Sequence, residues 1–306
     1  ICKWKRVSLI HAHFGTTGYQ YLPLAKALDI PLLTTFYGVD ISMLPRKYPK
    51  WISRYNNLFD YASAFLVEGP YMRNQLIELG CPEKKIYIQR IGINVEEYPL
   101  QTRIKKQKEP LRILMAGRFT EKKGFVDAVK AFAHLHSMGS QATLTVVGDS
   151  TGYKSSKSIK DKIYDIVEKK KLSKFVNFRG FIQVEELRAA YYDHHVFLSP
   201  STEAQNGDNE GGAPVAIIEA QATGLPVVST RHCDIPNVVQ DGETGLLSNE
   251  GDVISLSKSL QRLAKNPSEI IRMGKKAHRH IANYHDVAKA GQQVDELYSS
   301  LVESIK

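Results

Sequence analysis

At 306 residues and 34.4 kDa the chain exceeds what one ordinary hydrophobic core holds, so its length predicts two domains or one large α/β unit and excludes a small stapled module. With 42% hydrophobic and 24% charged residues, and 21 Gly and 13 Pro spread along the chain, disorder, collagen and coiled coil are excluded, and no apolar run nears the ~18 residues of a spanning helix. The net charge of +9 is concentrated early, 16 Lys and Arg against 9 Asp and Glu in residues 1–110, which suits nucleic acid, anionic lipid or an anionic small molecule, or plain solvation.

The N-terminal Cys2-Lys3-Trp4-Lys5-Arg6 runs directly toward an apolar stretch and does not read as a signal peptide. Cys2, Cys81 and Cys233 are odd in number and widely spaced, which argues against a disulfide framework or structural zinc and makes a reducing cytoplasm the expected compartment. Short apolar runs at 7–10, 31–36, 64–67 and 86–91 alternate with amphipathic stretches at 18–28, 48–60 and 69–79. Strands alternating with helices predict a parallel sheet covered on both faces. The pattern breaks at 99–110, and 101–110 is expected as a linker.

It restarts with a strand at 111–116 and a helix at 123–137 that carries Phe125, Val129 and Phe132 at i, i+4, i+7 spacing. Strands are expected at 144–147, 175–178, 196–198 and 226–228, and helices at 156–171, 184–193 and 214–223. The lysines of 154–174 read as a solvated helix face, and the last 60 residues as helix throughout. The predicted fold is α/β, two doubly wound Rossmann-like domains facing a cleft, with a ligand at the carboxyl ends of the strands.

Neither G-x-G-x-x-G nor G-x-x-x-x-G-K-[ST] occurs, so the usual dinucleotide and P-loop fingerprints are missing. After the strand at 111–116 comes Gly117-Arg118-Phe119-Thr120-Glu121-Lys122-Lys123-Gly124, which puts a guanidinium and an ammonium where they would clamp a diphosphate. Taken alone, the same octapeptide reads equally as a turn with two surface cations. Further on, Glu210-Gly211-Gly212-Ala213-Pro214 precedes an apolar helix containing Glu219. Pro214 suits a first helical turn, so Gly211, Gly212 and Ala213 would offer free amides to an anion, and their small side chains would let a phosphate approach. Glu219, about a turn and a half into the helix, would reach a ribose, and among apolar neighbours it needs a polar partner. Glu210 would face the other end of the ligand.

With these motifs in place, nearly the whole chain resembles the retaining nucleotide-sugar glycosyltransferases of family 4, which have the GT-B fold, and is most similar to their exopolysaccharide or colanic-acid branch. The resemblance rests on His11-Ala12-His13-Phe14-Gly15, Thr35-Phe36-Tyr37-Gly38-Val39-Asp40, Arg90-Ile91-Gly92-Ile93-Asn94, Gly117-Arg118 with Lys123-Gly124, Val147-Gly148-Asp149, Gly180-Phe181 and the 210–219 stretch. It implies a transfer of sugar from a UDP- or GDP-sugar to a saccharide or lipid-linked acceptor, with no cofactor and no metal. It also implies that Arg118 and Lys123 bind the diphosphate, Glu210 contacts the transferred sugar, Glu219 holds the ribose and the backbone at Gly180 and Phe181 meets the base. His13, Gly15, Tyr37 and Asp40 are implied on the acceptor side. The domains implied are a partial acceptor-side α/β domain at 1–100, the linker at 101–110, a nucleotide-sugar domain at 111–285 and a helix at 286–306 packing back on the first domain.

Three departures stand out. Eight residues instead of seven separate Glu210 from Glu219; Tyr37 stands where many members have histidine; and the first domain is expected to begin midway, without its first strands and glycine-rich loop. A chain of this extent would bind donor but transfer poorly. Peripheral contact of the basic first third with an anionic membrane at the inner face is also expected.

Other readings differ in their tests. A glycoside hydrolase using Glu210 and Glu219 would act on plain glycosides, but nine helical steps separate two carboxylates too widely for that chemistry unless the loop closes the gap. A non-catalytic basic protein would bind lipid or nucleic acid with salt-sensitive affinity, and no RNP-like or helix-turn-helix pattern supports nucleic acid. His11 and His13, at i, i+2, lack a third nearby ligand and read as structural or cleft-lining. His278, His280 and His285 read as solvated. Gly148-Asp149-Ser150-Thr151-Gly152 matches a nucleophile elbow without an oxyanion stretch.

Overall fold

The computed structural model describes residues 7–303, in which strands and helices alternate along most of the chain. The first elements are β1 (Ile10–His13), α1 (Gly15–Leu28), β2 (Leu32–Thr35), α2 (Gly38–Ile41), α3 (Met43–Lys47), α4 (Lys50–Tyr61), β3 (Ala64–Val67), α5 (Pro70–Glu78) and β4 (Ile86–Ile88). Then follow β5 (Leu111–Ala116), α6 (Phe125–Ser137), β6 (Ala142–Val147), α7 (Lys154–Lys169), β7 (Val176–Gly180), α8 (Val184–Asp193), β8 (Val196–Ser199) and α9 (Val215–Ala222). The last are β9 (Val227–Thr230), α10 (Ile235–Val238), β10 (Gly245–Ser248), α11 (Val253–Lys265), α12 (Pro267–Tyr284) and α13 (Val287–Glu303). Two compact units result. One holds the chain before Ile93, Asn206–Gly212 and the chain after His285; the other holds Ile93–Gln205 and Ala213–His285.

The first unit contains a parallel sheet in the order β1-β2-β3-β4. All four residues of β3 are buried, which is why Ala64–Val67 reads as an unbroken apolar run. On one face α4 buries Tyr55, Leu58 and Phe59 at i, i+3, i+4, and these rings meet Phe36 and Phe65 at tilted and edge-on angles. A smaller cluster joins Leu297, Tyr298 and Leu301 of α13 to Leu33, Ala64 and Leu66. The first strand lies at Ile10–His13 rather than at 7–10, because the parallel ladder begins with Ile10 opposite Leu32, while Val7 is exposed. The polar residues His11 and His13 conceal this strand from a search for apolar runs.

The second unit has the strand order β10-β9-β8-β5-β6-β7, all parallel, so the order reverses between β5 and β8 and the carboxyl end of β5 is a topological switch point. The apolar stripe of α6 is buried as the spacing predicts, at Phe125, Val129, Phe132 and Leu135. This helix starts at Phe125 after a 3₁₀ turn at Glu121–Lys123. The turn ends in Gly124 at φ 65°, where a Cβ would lie 1.8 Å from the Pro200 carbonyl oxygen, so only glycine fits. The last 60 residues are helical from Val253 to Glu303, in α11, α12 and α13, and β10 lies at the edge of that stretch; its two leucines are too short a run to announce a strand, and its ladder with β9 defines it.

Residues 101–110 are not a free linker. Gln101 donates its amide to Thr223 O, and Arg103 is 4% exposed, with its guanidinium donating to the Gln101, Tyr191 and Thr223 carbonyls and the Thr223 hydroxyl. Burial lowers Arg103 to about 10. The guanidinium fork matches several converging acceptors, so Arg103 fastens the segment within the second unit.

Candidate functional site

At the switch point three glycines stitch the strand ends together. Gly117 donates its amide to Val147 O at 3.0 Å, Gly148 donates to Gly180 O at 2.7 Å, and a Cβ on Gly148 would lie 1.9 Å from Gly117 O. Arg118 follows directly and is exposed; among the described residues its guanidinium has no hydrogen-bond or ion-pair partner. The stem of Lys123 passes Gly117, with Cδ 3.7 Å from the position a Cβ there would take. Both cations therefore stand at the carboxyl end of β5. Gly180 (φ 65°) ends β7, and the following Phe181 is 62% exposed.

Glu219, on α9, is half-buried, and each of its oxygens accepts a phenolic hydrogen bond: Oε1 from Tyr98 at 3.1 Å and Oε2 from Tyr191 at 2.8 Å. Tyr191 is 1% and Tyr98 6% exposed. Burial first, then the carboxylate beside it, pushes Tyr98 up to about 12 and Tyr191 well above its ordinary value, so both remain hydrogen donors. Each carboxylate oxygen keeps a further lone pair for a hydroxyl. The need for a polar partner was legible in the sequence, but the two tyrosines were not, since they lie 121 and 28 residues away.

The glycines before α9 require a correction. Gly211 donates its amide to Asn209 Oδ1 at 3.0 Å and Gly212 to Glu210 O at 3.0 Å, so neither amide is free. Gly211 adopts φ 72° and closes this turn. Their smallness also has another cause: a Cβ at Gly211 would lie 2.3 Å from Gly38 Cα, and one at Gly212 1.7 Å from Glu68 Oε2, so the backbone itself packs tightly within the first unit. Pro214 is the N-cap of α9 instead of its first residue. What remains for an anion is the Ala213 amide, unbonded among the described residues, and the opening amides of the helix. Glu210 is half-buried beside Gly38, whose Cβ position lies 2.7 Å from Glu210 O.

In the first unit His13, Gly15, Tyr37 and Asp40 come together at the carboxyl ends of β1 and β2. His13 Nδ1 and Tyr37 Oη are 2.7 Å apart, and Asp40 Oδ2 accepts from the amides of Gly15 at 2.9 Å and Tyr37 at 3.3 Å. Asp40 is 2% exposed; burial raises it to about 6 against the pull of those two amides. Burial, then Glu68 and Asp40, raises Tyr37, which therefore stays protonated. His11 stacks on His13 at 4.5 Å and uses both nitrogens, toward Tyr298 Oη at 2.6 Å and Thr35 Oγ1 at 2.7 Å, while burial and His13 lower it to about 4. Those bonds give His11 a structural role.

Residues 99–280 match the family described as glycosyl transferases group 1, and residues 1–97 match glycosyltransferase family 4. The chain belongs to the group 1 glycosyl transferases. It is 33% identical over 263 residues to the amylovoran biosynthesis glycosyltransferase AmsK of Erwinia amylovora, covering 85% of this chain and 62% of AmsK. It is 29% identical over 303 residues to the putative colanic acid biosynthesis glycosyltransferase WcaL of Escherichia coli K12, covering 98% of this chain and 71% of WcaL. In fold it is similar to sucrose-phosphate synthase from Thermosynechococcus elongatus (TM-score 0.83, 22% identity, 99% of this chain and 76% of that one). Anabaena HepE in complex with UDP is also similar (TM-score 0.83, 18% identity, 97% and 80%).

Three weaker sequence signals resolve in this group 1 glycosyl transferase. Ser150 is no nucleophile elbow: its amide bonds Asp149 Oδ1, Asp149 pairs with Lys160 at 2.8 Å, and α7 begins only at Lys154. The histidines of the C-terminal helices are not simply solvated, since His285 is 3% exposed and His278 and His280 bond to the Ala222 and Asn237 carbonyls. The lysine-rich 154–174 segment does form a helix with one apolar face, Ile159, Ile163 and Val167.

Proposed function

We propose that the chain acts as a retaining hexosyltransferase, moving a sugar from a UDP- or GDP-sugar to a hydroxyl of a saccharide or lipid-linked acceptor in exopolysaccharide synthesis. The observation that carries this reading is the cation pair at the carboxyl end of β5: the Arg118 guanidinium, without a partner among the described residues, and Lys123, whose stem passes Gly117. Exopolysaccharide synthesis is supported by the descriptions of AmsK and WcaL, and a uridine donor by the solved complexes of HepE with UDP and UDP-glucose.

As the glycosidic bond to the leaving diphosphate breaks, negative charge grows on its oxygens. Arg118, Lys123 and the amides opening α9 offset that charge without a metal ion. Glu219, oriented by Tyr98 and Tyr191, accepts the ribose hydroxyls, and the backbone at Gly180 and Phe181 serves the base. Glu210 serves the transferred sugar. The departing phosphate takes the acceptor proton on the same face, which preserves the anomeric configuration. His13, Gly15, Tyr37 and Asp40 form the acceptor side. No helix among the described residues is long and apolar enough to cross a membrane. The basic first third, 16 Lys and Arg against 9 Asp and Glu in residues 1–110, suits peripheral contact with an anionic membrane that carries a lipid-linked acceptor.

The test supplies UDP-, GDP- and ADP-hexoses labelled in the sugar, with a membrane lipid extract as acceptor, and reads the anomeric configuration of the product by NMR. Transfer with retention, unchanged by EDTA, is the expected result. Cleavage of plain glycosides with no need for a nucleotide would establish the hydrolase instead.

A further inference from the structure

Beyond the carboxyl end of β9 three side chains form a relay that the glycosyl-transfer reading does not use. Cys233 Sγ lies 3.2 Å from His232 Nε2, and His232 Nδ1 lies 2.7 Å from Glu250 Oε1. A thiol, an imidazole and a carboxylate in that order are a nucleophile, its proton acceptor and the group that orients the acceptor. The carboxylate is itself held, since Glu250 Oε2 accepts from Thr202 Oγ1 and from the Glu203 amide, both at 2.9 Å. Burial works to raise Glu250, but the Glu203 amide, His232 and Thr202 outweigh it and keep it below the usual carboxylate range. An ionised Glu250 takes the Nδ1 hydrogen and leaves the Nε2 lone pair directed at the sulfur.

Access completes the arrangement. His232 is 2% exposed, whereas Cys233 is partly exposed, so the base is sheltered and the thiol is within reach of solvent. Cys81 provides the contrast: it is 3% exposed, its sulfur is 3.9 Å from the Pro82 carbonyl, and burial pushes the thiol up to about 12. Glu250 is the charged group bonded within the relay, while the neighbouring Arg231 turns to Asp241 and Asp234 accepts from Asn237.

We propose that Cys233 is a modification site, a nucleophilic thiol that undergoes thiol–disulfide exchange with low-molecular-weight disulfides. His232 Nε2 takes the thiol proton, and the Cys233 thiolate attacks one sulfur of the incoming disulfide. A new S–S bond forms as the old one breaks. The other half leaves as a thiolate and recovers the proton from His232, so Cys233 is oxidised and the departing thiol reduced with no further reagent.

Oxidised glutathione is the probe, with adducts at each cysteine followed by peptide mass mapping between pH 5.5 and 9. With His232 Nε2 placed to take the thiol proton, more of Cys233 is thiolate at low pH, so it should react about fivefold faster at pH 6 than an unstructured peptide of the same local sequence. That advantage should close by about pH 9, where the peptide thiol ionises unaided. His232→Gln should reduce Cys233 to the peptide profile, Glu250→Gln should fall between, and Cys81 should stay unmodified. A Cys233 profile parallel to the peptide at every pH, or one that His232→Gln leaves unchanged, overturns the proposal. Should a variant unfold, reaction at Cys81 reveals it, and the unaltered chain against the peptide decides the question.

Discussion

Tyr191 donates its phenolic hydrogen to the Glu219 carboxylate at 2.8 Å from a position only 1% exposed. Tyr191→Phe removes one of the two donors that orient that carboxylate, at a cost of about 1–1.5 kcal/mol, so the nucleoside diphosphate should bind roughly five- to tenfold more weakly with the fold retained. Tyr98 titrates only near about 12, so affinity through Glu219 should be level from pH 6 to 9. Calorimetric titration of the variant with UDP and GDP checks both points, and unchanged affinity would remove Tyr191 from the donor site.

Asp40 gives the first unit a pH dependence of defined sign. Its carboxyl takes up a proton near about 6 in the folded chain and near ~3.9 when unfolded, so between those values the folded state holds more protons. Its contribution is therefore fully present below about pH 4 and is lost as the pH rises through 6, by roughly 2–3 kcal/mol. Asp40→Asn keeps an oxygen for the Gly15 and Tyr37 amides and removes the titration. In urea unfolding, the stability of the variant relative to the unaltered chain should climb from pH 4 to 7 and then level. A constant difference would show that Asp40 does not titrate in this range.

The guanidinium of Arg118 has no partner among the described residues, so its removal should leave folding stability within about 0.5 kcal/mol. Its effect should fall on turnover: Arg118→Ala or Lys123→Ala should lose roughly 2–4 kcal/mol of transition-state stabilisation, mostly in kcat. Steady-state transfer kinetics on both variants measure this, and wild-type turnover in both would remove the diphosphate clamp.

The alternation of elements was legible because buried parallel strands such as β3 and β8 carry unbroken runs of three or more apolar residues. β1 and β10 were not, because His11 and His13 interrupt one and the other offers only two adjacent leucines between Gly245 and Ser248. Arg118, Lys123 and Glu219 could be singled out because each follows a strand end or sits oddly in an apolar helix. Tyr98 and Tyr191, which hold Glu219, carry no local signal, since only the tertiary fold brings them to it. Gly211 and Gly212 misled for a physical reason. A glycine pair before a helix suits an anion, but here close packing on Gly38 and Glu68 demands the same residues, and a turn consumes their amides.

The central claim is that Glu219 holds the nucleotide of the donor while Glu210 serves the sugar, and titration calorimetry with a nucleoside diphosphate tests it most directly. The unaltered chain should bind UDP or GDP without added metal. Glu219→Gln should weaken that binding at least tenfold, by about 1.4 kcal/mol or more, and Glu210→Gln should leave it nearly unchanged while depressing transfer. Equal affinity in both variants, or no binding of any nucleoside diphosphate by the unaltered chain, would contradict the assignment.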